Sequence, residues 1–369
     1  MPVPNQYVLT DPVAGEIAQL IEDGFEKEKI VNLCVKSAGY PENEIDRLEN
    51  ELRQLMREEA KNQKQKYGDY NMEPLFNQMK DADFSEKYYR LLNQTFRVSF
   101  TSAEAQFAVH PKFAHLQTQP KESVNHHFRV FHHKKQFALK VNEEWVGFWP
   151  QEREHFFTGM FSQKLLEKIY TKNGNEWMGV FHASAVSFEN NCLLFAGNSG
   201  AGKSTLAALL FSRGFDVLAD DFVPVESKTG RVFRFPAALS VKKGAVDLLG
   251  SSFKRLKKAK EYHLPKQQKT VKYLPVNHFN SNSVNHVPCS GLVFVDYKPN
   301  SGFQLEEIPP EEAFARLVPD SWIYPSEENS KRFMEWFSNL HFFKLNYSDN
   351  EKMVAEIKTL FQKTKPQAS

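Results

Sequence analysis

Cysteine is scarce: the chain has three, Cys34, Cys192 and Cys289. They lie far apart and form no Cys-x-x-Cys pair, so a disulfide framework is not expected and a reduced, intracellular protein is. Long apolar runs are missing too. None approaches the roughly 18 residues that span a bilayer, and no membrane association is expected. The opening MPVPNQYVLTDPVAGE lacks a basic stretch followed by an apolar one. No secretory signal is therefore expected, and the protein is read as cytoplasmic. Charge of one sign is lacking: 47 Lys and Arg against 45 Asp and Glu give a net +2. That balance argues against a nucleic-acid binder. There is no internal repeat.

What is present is a globular composition, 41% apolar and 25% charged, with 32 Phe. The length of 369 residues fits two or three domains, and the Phe content reads as core packing. The basic cluster Lys254, Arg255, Lys257, Lys258 and Lys260 is local and reads as a solvated face.

The first 58 residues read as a small helical unit. Gln6 to Leu9 is an expected short strand. Asp11 and Pro12 form a cap and first turn, and Val13, Ile17, Leu20 and Ile21 an apolar stripe ended by Asp23-Gly24. A second helix carries Ile30, Leu33 and Cys34; a third, from Pro41, carries Ile45, Leu48, Leu52 and Leu55. Residues 59–87 are polar and read as a helix end passing into a linker. Residues 88–179 alternate like strands, as in FRVSF, HFRVFHH, KQFALKV and WVGFW, which predicts an antiparallel sheet followed by a helix from about Phe156 to Lys172. His126, His127, His132 and His133 fall here, but adjacent residues on a strand face opposite ways and no Cys or acidic set completes a metal site. Residues 180–369 read as a mixed α/β unit.

That unit contains CLLFAGNSGAGKSTLAALLF, a match to GxxxxGK[ST] at Gly197, Asn198, Ser199, Gly200, Ala201, Gly202, Lys203 and Ser204, followed by Thr205. An apolar strand precedes it and an apolar helix follows, the context that a phosphate-binding loop requires. Glycines let successive N–H groups point inward, the helix N-terminus adds its dipole, Lys203 reaches the β and γ phosphates, and Ser204 is placed to ligate Mg²⁺. Downstream, FDVLA runs into Asp220-Asp221. Two carboxylates at a strand end can divide two tasks, metal holding and proton acceptance. On a strand continued through both they face opposite ways. Asp220 is assigned the proton and Asp221, with Ser204, the Mg²⁺. His182 is expected in the strand preceding the P-loop strand; spacing alone leaves it between a structural histidine and one that orients the acceptor or the Asp pair.

Taken together, HASAVSFENNCLLFAGNSGAGKSTLAALLFSRGFDVLADDFVPV resembles the catalytic segment of the HPr kinase/phosphorylase superfamily, in its HPr-kinase-related bacterial serine kinase branch. The segments FRFPAALSVKKGAVDLL, VKYLP and CSGLVFVDYKPNSGFQLEEIPPEEAFARL are similar to the same branch. The resemblance implies an α/β, P-loop, mixed-sheet kinase domain that uses ATP and Mg²⁺. It implies active-site roles for His182, Lys203, Ser204, Asp220 and Asp221, and a place facing the site for Lys242. The glycine-rich, Arg-containing segment of HPr kinase beyond the Asp pair has no counterpart. The N-terminal YVLTDPVAGEIAQLIEDGFEKEKIVNLCVKSAGYPENEIDRLENELRQL resembles a PqqD-like, winged-helix-like peptide-recognition domain, which implies a docked peptide or protein substrate.

The function expected is phosphorylation of a Ser or Thr hydroxyl on a peptide or protein. Two alternatives stay open: a small-molecule kinase, and a nucleotide-binding regulator without kinase activity. A regulator acting on nucleic acid is disfavoured because the N-terminal unit is acidic. An ABC-type ATPase is disfavoured because no LSGGQ-like segment follows the loop. A homo-oligomer is compatible with everything above.

Overall fold

The computed structural model describes residues 12–38, 41–66, 84–264, 269–275 and 285–364. These fall into two compact units, one within Gln6–Asp81 and one within Ala82–Ser369.

The smaller unit is three helices, α1 (Pro12–Glu22), α2 (Lys27–Ala38) and α3 (Glu42–Lys66). Each contributes one apolar stripe to a shared core of Ala14, Ile17, Ile30, Val31, Cys34, Ile45 and Leu52. Gly24, at φ 81°, ends α1, with Phe25 N–H donating to Leu20 O. Glu49 is buried and pairs with Arg53 one turn on, and Arg53 also donates to Phe25 O at 2.9 Å. Leu33 and Leu55, expected on the apolar stripes, are exposed. The Gln6–Leu9 strand, the Asp11 cap and the linker beyond residue 66 (up to residue 83) lie outside the described residues.

The larger unit begins with a six-stranded sheet. Its strands are β1 (Ser85–Leu91), β2 (Gln94–Phe100), β3 (Gln117–Thr118), β4 (His126–His133), β5 (Gln136–Val141) and β6 (Glu144–Pro150), in the order β3-β1-β2-β4-β5-β6. The expected purely antiparallel sheet needs correcting: β2 and β4 are parallel. A parallel pair needs a crossover, and here it is α4 (Ala103–Phe113), which alternation of the flanking strands concealed. Ser102 caps α4 by accepting from Ala105 N–H at 3.1 Å, and Pro111 lies inside it. The helix α5 (Glu154–Tyr170) follows.

The second sheet has ten strands, with the path β10-β8-β9-β16-β12-β11-β7-β18 and with β19 and β17 continuing from β16. The ranges are β7 (Trp177–Phe181), β8 (Ala183–Phe188), β9 (Asn191–Ala196), β10 (Asp216–Asp220), β11 (Val223–Glu226), β12 (Arg231–Phe233), β16 (His286–Tyr297), β17 (Phe303–Glu307), β18 (Ser321–Ile323) and β19 (His341–Tyr347). The domain division expected at residue 180 falls inside β7, a strand of this sheet. β13 (Leu239–Lys242), β14 (Tyr262–Leu264) and β15 (Lys269–Leu274) make a small third sheet in the order β13-β15-β14. The fold is therefore mixed α/β with mixed sheets.

The core lies around α6 (Lys203–Ser212), where Leu206, Ala207, Ala208, Leu209 and Leu210 are all buried. A helix apolar all round has to be enclosed. Here Leu193, Phe195, Val293 and Val295 of the large sheet and Leu239 and Val241 of β13 belong to the same core.

Candidate phosphate-binding and transfer site

Strand direction explains why residues far apart in sequence meet. β16 is parallel to β9. β8 is antiparallel to β9, and β10 antiparallel to β8. The carboxyl ends of β9 and β10 and the start of β8 thus share one edge of the sheet, the usual place for a ligand in open α/β sheets. At that edge stand the loop after Ala196, Asp220 and Asp221, and His182 with Ser184.

The loop from Gly197 to Gly202 turns into α6 through three glycines of positive φ. At Gly197, φ 143°, an added Cβ would lie 2.6 Å from Val295 O. At Gly202, φ 99°, it would lie 3.1 Å from Tyr297 Cβ. Both positions adopt a backbone state that L-residues avoid, and at Gly197 a backbone oxygen leaves no room for a side chain. Gly202 is the N-cap of α6 and no side chain caps the helix, so the first-turn N–H groups are not satisfied by a cap. Asn198, Ser199 and Gly200 are exposed at the crest of the loop.

Lys203 is buried. Its ammonium donates to Gly197 O at 2.6 Å and Asn198 O at 3.3 Å, and lies 3.5 Å from His182 Nε2. Burial pushes its pKa down, while Asp221, Asp220 and Asp320 pull it up.

The two aspartates are not equivalent. β10 ends at Asp220, whose register partner is Ser184. The Asp220 carboxylate is buried and accepts from Ser184 Oγ at 2.5 Å, from Ser204 Oγ at 2.8 Å and from the Ser240 N–H. Burial, then the neighbouring Asp221 charge, push it up to about 7 against those three donors. Asp221 adopts φ 61°, and its N–H is held by Ala183 O at 2.9 Å. The strand does not continue through both residues, so the alternation expected for the pair does not apply. Asp221 is turned toward solvent, its side chain 41% exposed, with Oδ1 3.8 Å from His182 Nδ1.

The structure therefore brings His182, Lys203, Ser204, Asp220 and Asp221 to one place. It sets Ser204 against Asp220 rather than against Asp221. Thr205 is half-buried in the first turn of α6. Lys242 also reaches the loop: its Nζ lies 3.2 Å from where a Gly200 Cβ would stand. Sequence reasoning missed Ser184 and the Ser240 N–H. His182, expected within a strand, stands at the bend between β7 and β8, so strand alternation does not link it to Ser184, and a backbone donor from β13 leaves no trace in residue types.

Ser204 and Asp220 offer two hard oxygen ligands 2.8 Å apart. That donor set fits Mg²⁺, which keeps waters and phosphate oxygens for its other positions. Among the described residues no group of three or more His, Cys, Asp or Glu is arranged to hold a metal ion. Adjacent histidines on β4 go separate ways: His126 pairs with Gln94 at 2.8 Å and His127 with Ser99 at 2.7 Å. Among the described residues no helix is long and apolar enough to cross a membrane.

No family model matches this chain, and no curated protein does. Among solved structures, the HPr(Ser) kinase/phosphatase from Coxiella burnetii is similar at 12% identity and TM-score 0.24, over 50% of this chain and 94% of that one. A likeness that slight establishes neither membership of a family nor an activity.

Proposed function

We propose that this protein is an ATP-dependent phosphotransferase that phosphorylates a Ser or Thr hydroxyl on a peptide or protein. One relationship carries the reading: the loop serine and the buried aspartate are joined, Ser204 to Asp220, while Asp221 stands free of them beside His182 and Lys203. A site built only to hold nucleotide needs no second carboxylate turned outward in a left-handed conformation. The order His182, phosphate loop, Asp220-Asp221, by which the chain resembles HPr-kinase-related serine kinases, supports it as well.

In this reading the two aspartates exchange the roles expected of them. The loop N–H groups and the Lys203 ammonium bind the β and γ phosphates. Ser204 and Asp220 would hold Mg²⁺, which would supply charge neutralisation on those phosphates. Asp221 accepts the acceptor's proton, and His182 orients the Asp221 carboxylate. In the transfer the acceptor oxygen bonds to the γ phosphorus and the bond from that phosphorus to the β–γ bridging oxygen breaks. ADP departs and the hydroxyl proton passes to Asp221. The three-helix unit, PqqD-like in sequence, is assigned the docking of the peptide.

The direct test is incubation with γ-labelled ATP and Mg²⁺ against serine-containing peptides, read by mass spectrometry, for the wild type and Asp221→Asn. Phosphopeptide from the wild type and its loss in the variant support the reading. Equal labelling by both removes Asp221 from the chemistry.

A further inference from the structure

We propose that three lysines from three elements, Lys242 of β13, Lys269 of β15 and Lys112 of α4, form an anion-binding acceptor site beside Asp221, so that the hydroxyl phosphorylated belongs to an acidic acceptor. The inference rests on the phosphotransferase reading and names its substrate class.

The register of the small sheet supplies the geometry. Ser240 pairs with Tyr273, Lys242 with Val271, and Leu264 with Lys269. Opposed residues share a face and so do residues two apart, so Ser240, Lys242, Lys269 and Tyr273 all lie on one face. The other face of β13 carries Leu239 and Val241 into the core around α6. β13 is tied to the transfer site at two points: Ser240 N–H donates to Asp220, and Lys242 Nζ stands over Gly200. On the face of Lys242 and Lys269, Tyr262 meets Tyr273 at 5.3 Å and Phe107 of α4 at 6.1 Å. α4 is held to the segment before β13 by Ala238 N–H donating to Lys112 O at 2.9 Å. Lys112 therefore comes to the same place from the six-stranded sheet's crossover helix.

These lysines make no ion pair among the described residues, whereas Lys272 on the opposite face of β15 has Glu261 at 3.7 Å. Lys269 and Lys112 are half-buried. Burial lowers the Lys269 pKa, Lys242, Lys112 and Lys203 lower it further, and Asp221 opposes them. Four ammonium groups so close repel one another, and the Asp pair offsets only part of that charge. An anion relieves the excess. The triphosphate has its own cation in Lys203 and its own N–H groups in the loop. Lys269 senses Asp221 as its strongest electrostatic partner, which puts it on the acceptor's side. An acidic peptide and a small hydroxy acid share the chemistry that this surface would recognise.

The test uses the full chain saturated with Mg²⁺ and a non-hydrolysable ATP analogue. Fluorescein-labelled serine peptides flanked by Asp, Ala or Lys are titrated by anisotropy, and glycerate serves as the competing small acid. The Asp-flanked peptide should bind at least about ten-fold more tightly than the Ala-flanked one. K112Q/K269Q should lose about ten-fold of that affinity while K112R/K269R keeps it, with analogue affinity within about two-fold of wild type in both. Displacement of the peptide by glycerate at low millimolar concentration would identify a small acid as the occupant, and no displacement a peptide; either supports the site. Equal affinity for the Asp- and Ala-flanked peptides overturns it, and so does a loss of analogue affinity in K112Q/K269Q with peptide binding intact. The phosphotransferase reading fails separately, if the wild type binds the Asp-flanked peptide but transfers no label to it from γ-labelled ATP in Mg²⁺.

Discussion

Ser204 Oγ donates to Asp220 Oδ2 at 2.8 Å, and Asp221, the next residue, turns away at φ 61° toward His182. Adjacent identical side chains thus meet opposite environments, one buried and held by three donors, the other exposed. Asp221→Asn should lower phosphoryl transfer by about 10²–10⁴-fold, the usual loss for a general base, with Mg²⁺-nucleotide affinity retained. Asp220→Asn should instead weaken nucleotide binding in Mg²⁺ and leave Mg²⁺-free binding close to wild type. Steady-state kinetics and nucleotide titrations with and without EDTA separate the two. The opposite pattern would return the roles to those first assigned, the proton to Asp220 and Mg²⁺ to Asp221.

Lys203→Ala and Gly197→Ala both strike the phosphate loop, by different means. The first removes a cation together with its hydrogen bonds to Gly197 O and Asn198 O; transfer should fall by about 10²–10³-fold. The second forces a methyl to within 2.6 Å of Val295 O at φ 143°. The loop must move, so Tm and nucleotide affinity should fall together. Thermal melts with and without nucleotide check the pair; a Gly197→Ala protein that binds ATP normally would mean that the loop tolerates the displacement.

The loop and its helix were legible because glycine, lysine and serine at fixed spacing have few other uses between a strand and a helix. The Asp pair was legible as a pair, and its division of labour was not. That division depends on where β10 stops, a one-residue matter set by Ala183 O capturing the Asp221 N–H, and strand ends are the least determined feature of a sequence. α4 was hidden because Pro111 interrupts its pattern and strands flank it on both sides. Lys269 and Lys112 were invisible for a simpler reason: strand register for the one and the contact of α4 with Ala238 for the other, not local pattern, set where they stand.

Removing residues 1–81, the smaller compact unit with the segment before it, should leave ATP binding intact, since the loop, the Asp pair and their supports lie beyond Ala82. The apparent KM for a peptide acceptor should rise, and kcat for a saturating peptide should hold. Unchanged peptide kinetics would remove the docking role from the three helices. A truncated protein that fails to melt cooperatively would mean that the larger unit depends on the smaller one.

Asp220 also makes stability depend on pH in a particular direction. Its folded pKa is raised to about 7 from an ordinary 3.8, chiefly by burial. Between those values the folded protein holds a proton that the unfolded chain has released, so stability falls as pH rises through this window. Above about pH 7 the full penalty applies, on the order of 4 kcal/mol at most. Asp220→Asn has no such charge to bury. In the absence of nucleotide and Mg²⁺ its Tm should exceed wild type by several degrees at pH 8 and approach wild type at pH 4, where the aspartate is protonated in the folded state. Added Mg²⁺ and ATP should narrow the gap at pH 8 by stabilising the wild type more, because only the wild type has a carboxylate there for the cation to meet. Melting curves at pH 4, 6 and 8, with and without Mg²⁺-ATP, provide the measurement. A variant less stable than wild type at pH 8 without ligand would show that the three donors around Asp220 outweigh its burial.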